Sequence, residues 1–282
     1  MADKDISTLV DDIYSLFDPQ SGHEASEELL DEFATNLKNI LRSRLKASGR
    51  DNSRPIRFSS LGKKDRQIWM DAHPDPDNTE ELRPQTYMKF LYGDVIEQLY
   101  LYLAKEAGHS VTNEQAQVEV GGVTGSIDCI IDGCVVDVKS ASSFGFEKFK
   151  KGTVEQDDPF GYVEQLSGYA SVLTPGKDAY WLAIDKSSGE MCVTPLKSTV
   201  IKHHEPAPRI EHLKEVVASD TPPPLCYDPV ADGKSGNMKL DTGCSYCQHK
   251  FRCFPDVRTF LYSNGPRYLV HVERTPDVYE AT

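Results

Sequence analysis

Three polar residues interrupt runs that otherwise read as buried strand. Asp128 follows Gly125-Ser-Ile, and Asp137 and Lys139 break the run Val135-Val-Asp-Val-Lys139. Positions 137 and 139 differ by two, so on a strand their side chains share a face. Asp132-Gly133 lies between the two runs and is a two-residue hairpin signal. Pairing across that turn brings Asp128 toward the other two. Two carboxylates beside one ammonium offer hard oxygen ligands suited to Mg2+ or Mn2+, ions that also take phosphate oxygens. Such an ion lowers the pKa of a bound water, stabilises an oxyanion and orients a phosphodiester, while a lysine positions or helps deprotonate the attacking water. Taken alone, the Asp-x-Lys tripeptide is common and far more often marks the solvated face of a half-exposed strand.

Sulfur forms a second constellation. Cys244, Cys247 and Cys253 give C-x2-C-x5-C, and Cys226 precedes them. Four thiolates satisfy either one tetrahedral Zn2+ or one [4Fe–4S] cluster. The other three of the seven cysteines, Cys129, Cys134 and Cys192, sit in apolar strand contexts and read as small core residues.

The elements that must position these groups follow from periodicity. Residues 1–50 carry apolar residues at helical spacing, broken at Asp18-Pro-Gln-Ser-Gly22. Residues 85–107 predict a strong amphipathic helix ending at Gly108. Alternation predicts strands at 117–120, 125–131 and 134–139, then at 179–185 and 191–195. Ser140 to Asp158 reads as a polar, lysine-bearing loop. Helices are expected at 159–173 and 208–218, a loop at 220–241, and a tail after the cysteines. The order of helix, strands, helix, strands predicts an α/β sheet flanked by helices.

Composition bounds the function. The chain has 282 residues, is 39% hydrophobic and carries a formal net charge of −13. That disfavours a binder relying on bulk positive charge. It leaves room for a nucleic-acid enzyme that concentrates cations in one cleft. Lys148, Lys150 and Lys151, interleaved with Phe144, Phe146 and Phe149, form one candidate DNA-binding patch. Lys63, Lys64 and Arg66 form a second, and Lys250, Arg252 and Arg258 a third. No apolar run predicts a membrane span, and the acidic N-terminus does not read as a signal peptide.

In chain order, Glu97 in Gly93-Asp-Val-Ile-Glu97, Asp128, Asp137-Val-Lys139 and Gln165-Leu-Ser-Gly-Tyr169 resemble the motifs of the PD-(D/E)XK nuclease superfamily and its RecB-like exonuclease branch. Among these the chain is most similar to exonucleases of tailed bacteriophages with a C-terminal cysteine cluster. Arg57-Phe-Ser-Ser-Leu-Gly62 followed by Asp65-Arg-Gln-Ile-Trp69 resembles an upstream motif of phage and CRISPR-associated members. The resemblance implies an α/β, restriction-endonuclease-like core with a central mixed sheet flanked by helices. It places a helical N-terminal region at 1–55, the nuclease core at 56–219 and a metal-stapled cysteine segment, packed on the core, at 220–282.

The resemblance also implies roles. Asp128, Asp137 and the Val138 carbonyl ligate Mg2+ or Mn2+, and Glu97 adds a ligand directly or through water. Lys139 acts on the nucleophilic water, and Gln165 and Tyr169 support the lysine or the DNA strand. Cys226, Cys244, Cys247 and Cys253 hold a [4Fe–4S] cluster or Zn2+. Relatives with an iron–sulfur cluster draw one cysteine from far upstream, where this chain reads Gly62-Lys-Lys-Asp-Arg66. Cys226 is the substitute and His249 a weaker one. The implied activity is a Mg2+-dependent deoxyribonuclease, an exonuclease acting on double-stranded ends or single strands in end resection, recombination, replication or host DNA degradation. A structure-specific endonuclease and a non-catalytic nucleic-acid- or partner-binding module are the alternatives. Expected partners are DNA, a phage single-strand-binding or annealing protein, and further copies of the chain. The expected location is cytoplasmic, in the host if phage-encoded.

Overall fold

The computed structural model describes residues 4–46, 56–75, 77 and 84–281. Of the N-terminal region read as helical, residues 1–3 and 47–50 lie outside them. The helices are α1 (Leu9–Ser15), α2 (Glu27–Leu45), α3 (Asp65–Ala72), α4 (Pro84–Glu106), α5 (Ser143–Lys150), α6 (Tyr162–Leu173), α7 (Ser198–Ile201), α8 (Pro206–Ala218), α9 (Thr242–Ser245) and α10 (Lys250–Cys253). The strands are β1 (Val111–Thr112), β2 (Gln117–Val120), β3 (Val123–Ser126), β4 (Cys129–Ile131), β5 (Cys134–Ala141), β6 (Ala179–Asp185), β7 (Met191–Leu196), β8 (Val230–Ala231), β9 (Met238–Lys239), β10 (Arg258–Tyr262), β11 (Gly265–His271) and β12 (Tyr279–Ala281). Among the described residues no helix is long and apolar enough to cross a membrane.

Two compact units divide the described chain: residues 4–46, 57–62 and 84–210, and residues 56, 63–75, 77 and 211–281. The division falls elsewhere than at 55 and 219. Residues 63–75 and 211–219, expected in the nuclease core, cluster with the C-terminal segment.

In the first unit a five-stranded sheet runs β1-β4-β5-β6-β7. Strand β5 pairs antiparallel with β4 and parallel with β6, so the sheet is mixed, as expected. The parallel pairing requires a crossover, and α5 and α6 supply it. Val136 and Val138 of β5 share an apolar cluster with Leu101 and Ala104 of α4, Ile131 of β4 and Leu182 and Ile184 of β6. Burying each of these Val, Leu and Ile side chains contributes about 1.5–3 kcal/mol. Their alternates on β5, Asp137 and Lys139, therefore face the opposite side of the strand.

Several elements differ from the sequence reading: β8 and β9 fall in the expected loop 220–241, β10–β12 in the expected tail, and others lie in the first unit. The segment read as the loop Ser140–Asp158 contains α5, whose Phe146 and Phe149 are buried one turn apart. Ser142 caps it by accepting from the Gly145 N–H at 3.3 Å. The run 125–131 is not one strand. β3 pairs with β2 in a separate two-stranded ribbon, β4 joins the main sheet, and Asp128 lies in the break between them.

The second unit holds a five-stranded antiparallel sheet in the order β12-β10-β11-β9-β8. Leu240, Cys244 and Tyr268 form one of its apolar clusters, and Trp69, Met70 and Val216 another.

Candidate active site

The β4–β5 hairpin sets the first three groups. Asp132 and Gly133 both have positive φ, +50° and +75°. That is the two-residue turn that matches strand twist, and glycine adopts it without a Cβ clash. The register pairs Ile131 with Cys134 and Cys129 with Val136, so Asp128 falls opposite Asp137. Asp128 Oδ2 accepts the Val138 N–H at 2.7 Å. Asp137 is 5% exposed, and Lys139 Nζ lies 2.8 and 2.7 Å from its two oxygens.

Helix α4 delivers Glu97, whose Oε1 accepts from Gln115 Nε2 at 2.8 Å. Helix α6 delivers Tyr162, Gln165 and Tyr169, spaced to lie on one face. The Tyr162 ring sits 4.9 Å from Lys139 Nζ, and Gln165 bonds to Tyr169. Tyr169 stacks on Phe58 with centroids 5.0 Å apart. Gly125 lets both approach: a Cβ there would fall 2.4 Å from Phe58 Cβ and 2.6 Å from Tyr169 Oη. Phe58 and Leu61 anchor the Arg57–Gly62 segment in this unit. Asp65–Trp69, read as its continuation, belongs to α3 of the second unit.

Glu97, Asp128, Asp137, Val138, Lys139 and Gln165 line one open cleft of about 310 Å3. Burial first, then the charges of Asp94 and Asp137, push the Glu97 carboxyl up to about 7 despite the Gln115 bond. Burial and the charges of Asp137 and Glu97 push Asp128 well above the usual carboxylate range. Burial alone would lower the Lys139 ammonium, but Asp137 and Asp128 outweigh it and hold it protonated. Burial raises the Tyr162 and Tyr169 phenols.

The cysteines gather in the second unit. Cys226, Cys244, Cys247 and Cys253 line one small cavity with room for about one water. Burial, then neighbouring thiols, pushes Cys226 up to about 11 and Cys244 up to about 12. Arg66 Nε donates to Cys253 Sγ at 3.4 Å, and the His249 N–H donates to Cys247 Sγ at 3.4 Å. His249 Nε2 lies 2.8 Å from Asp71 Oδ1, whose other oxygen takes Lys63. Cys129 is buried, and Cys134 and Cys192 are half-buried.

Among the described residues, no group of three or more His, Cys, Asp or Glu side chains is arranged to hold a metal ion as it stands. In the cleft the carboxylates turn to the protein donors just described.

The basic patches are placed differently from the cleft residues. Lys148, Lys150 and Lys151 pair with Asp157, Glu190 and Glu147. Phe146 and Phe149 are core, and only Phe144 of that trio is exposed, at 80%. Arg66 turns to the thiol cavity and to the Pro223 carbonyl. Lys250 is buried, its Nζ donating to the Cys247 carbonyl, and Arg258 pairs with Glu280. Sequence reasoning missed Gln115 and Tyr162. Tyr162 is three residues before Gln165, a helical spacing that signals a shared face; Gln115 carries no such signal.

The chain matches no protein-family profile and no curated protein. Among solved structures it is similar to SSO0001, with a TM-score of 0.39 and 16% identity over 79% of this chain and 95% of that one. It is also similar to LHK-Exo in complex with dAMP, with a TM-score of 0.36 and 15% identity over 68% and 94%. A third is an alkaline exonuclease, LHK-Exo from Laribacter hongkongensis, with a TM-score of 0.32 and 14% identity over 68% and 94%. At these scores the likeness is loose, and the chemistry is read from the cleft itself.

Proposed function

We propose that this chain is a nuclease hydrolysing DNA phosphodiester bonds with a divalent cation held in the β5 cleft, and that it works from DNA ends. One observation carries the proposal: three largely desolvated carboxylates, Glu97, Asp128 and Asp137, share an open cleft with the Lys139 ammonium. Fully ionised, the three would outweigh the single ammonium by two negative charges, and that excess adds to burial in raising Glu97 and Asp128. A divalent cation removes that excess, so the residues present fit Mg2+ or Mn2+.

Asp128, Asp137 and the Val138 carbonyl would hold the ion, with Glu97 reaching it directly or through water. Mg2+ needs only one or two carboxylates, its remaining positions going to water and phosphate oxygens. When bound it activates water and neutralises phosphate charge. Lys139, protonated beside Asp137, orients the attacking water and offsets charge developing on the phosphorus oxygens. Glu97, raised to about 7 in the metal-free cleft, would be drawn to its carboxylate form by the cation and accept a hydrogen bond from a cleft water. Tyr162 holds the Lys139 ammonium against its ring face. End resection in recombination, replication or DNA degradation is the setting this activity implies.

We further propose that Cys226, Cys244, Cys247 and Cys253 hold Zn2+ or a [4Fe–4S] cluster that staples the second unit. The convergence of four thiols on one cavity supports the proposal, and room for about one water favours a single ion. An ultraviolet–visible spectrum with metal analysis separates the two. Incubating labelled linear and circular DNA with Mg2+ tests the activity. Loss of linear DNA alone is expected; equal cutting of circles indicates an endonuclease, and unchanged DNA a binding module.

A further inference from the structure

Beside the carboxylates, the same cleft is lined by Arg44, Lys89 and Phe90. Arg44 stands in the last turn of α2, a helix with no fully buried residue. Its guanidinium makes a two-point pair with Asp94 of α4, with Nη2 to Oδ1 at 2.7 Å. Both partners remain in contact with solvent, at 40% and 29% exposure. Solvent-exposed ion pairs are weak and exchange readily. A carboxylate presents two oxygens to arginine as a phosphodiester does, so Asp94 occupies Arg44 in the manner of a phosphate.

Tyr87, Phe90, Asp94 and Glu97 recur at i, i+3, i+7 and i+10 and form one stripe along α4. The stripe leads outward from the proposed metal site, with Phe90 ~10 Å and Tyr87 ~15 Å from Glu97 along the helix axis. Tyr87 is 56% exposed and meets Phe90 edge-on at 6.3 Å. Lys89 is exposed beside them. Aromatic faces beside cations suit unpaired bases; paired bases are already stacked inside a duplex.

We propose that this stripe is a track for a single-stranded end: Arg44 leaves Asp94 to grip a backbone phosphate, and Phe90 and Tyr87 take unpaired bases. The proposal rests on the hydrolytic reading of the cleft and names its substrate as unpaired strand. The chain carries a net −13, so attraction to a polyanion must come from such local cations.

Binding of a fluorescent single-stranded oligonucleotide, and of its blunt duplex, to the Asp137→Ala protein tests the track by anisotropy across a salt series. Arg44→Gln is expected to weaken single-strand binding about tenfold and to reduce the salt slope by about 0.7. Asp94→Asn, which releases Arg44, is expected to tighten it. Phe90→Leu and Tyr87→Leu should weaken the single strand severalfold and leave the duplex nearly unchanged. Arg44→Lys restores the salt slope but not the full affinity. Unchanged affinity and slope in a folded Arg44→Gln protein overturn the Arg44 assignment. Duplex binding equal to single-strand binding, with both weakened alike by the aromatic changes, overturns the single-strand assignment. Persistent cutting by Asp137→Ala in Mg2+ removes the hydrolytic reading and leaves the binding result to stand separately.

Discussion

The carboxylate cleft of the first unit is open, at about 310 Å3, whereas the thiol cavity of the second has room for about one water. Ionising the cleft is costly without a cation, and burial and mutual repulsion push Glu97 and Asp128 up. Cys226 and Cys244 avoid that cost, since burial raises them to about 11 and 12 and keeps them protonated. An open, charge-strained site suits an ion that must share its coordination with water and a substrate phosphate. A small, thiol-lined site suits an ion that binds once, displaces protons and stays. The contrast fits the roles proposed above, turnover in the first unit and a held ion in the second.

This contrast is broken most sharply by mutation. Asp137→Ala or Lys139→Ala is expected to lower DNA hydrolysis by about 10^3-fold or more, measured as single-turnover cleavage. The Cys247→Ser counterpart is expected to lose its metal in elemental analysis and to destabilise the second unit by several kcal/mol in calorimetry. The carboxylate cleft should then retain measurable activity in whatever fraction stays folded. Equal activity loss in both variants, with both fully folded, contradicts the division of labour.

A pH experiment sharpens the charge argument. The folded Glu97 carboxyl is raised from the usual 4.5 to about 7. Below 4.5 both folded and unfolded chains hold that proton and it has no effect on stability. Between these values the unfolded chain releases it first, so the metal-free protein loses stability as pH rises, levelling off above about 7. Glu97→Gln removes this penalty, which is at most about 3 kcal/mol. In chelator, denaturant melts should show the variant gaining on the wild type as pH rises, with the gain reduced when Mg2+ is added. A constant difference across that range contradicts the assignment. The smallest expected effect is Tyr162→Leu, which removes a ring beneath Lys139 worth about 0.5–2 kcal/mol. A modest fall in kcat with KM unchanged is expected.

The legible parts of the molecule were those fixed by short-range rules. A two-residue turn places Asp128 opposite Asp137 whatever surrounds it, and the helix expected at 85–107 forms as α4, although it is only weakly amphipathic and its buried residues are Leu101 and Ala104. Asp128's seat between two strands was not legible, because 125–131 alternates as though continuous while its halves pair with different partners. Helix α5 hid because its buried face is Phe146 and Phe149 within eight residues, rich in lysine. The C-terminal hairpin was missed although Tyr262 pairs with Gly265 across Ser263-Asn264. The partners of Lys148, Lys150 and Lys151 come from the turn after α5, the β6–β7 loop and α5 itself; composition could not show that all three meet carboxylates. The division into units was hidden for a similar reason, since residues 63–75 join a segment more than a hundred positions away.

The most direct test is end-labelled linear DNA incubated with the purified wild type and with Asp137→Ala, each with Mg2+ and with chelator. Progressive loss of label in the wild type with Mg2+ alone is the predicted result. Intact DNA under all four conditions, or loss that persists in Asp137→Ala, contradicts the assignment of this cleft.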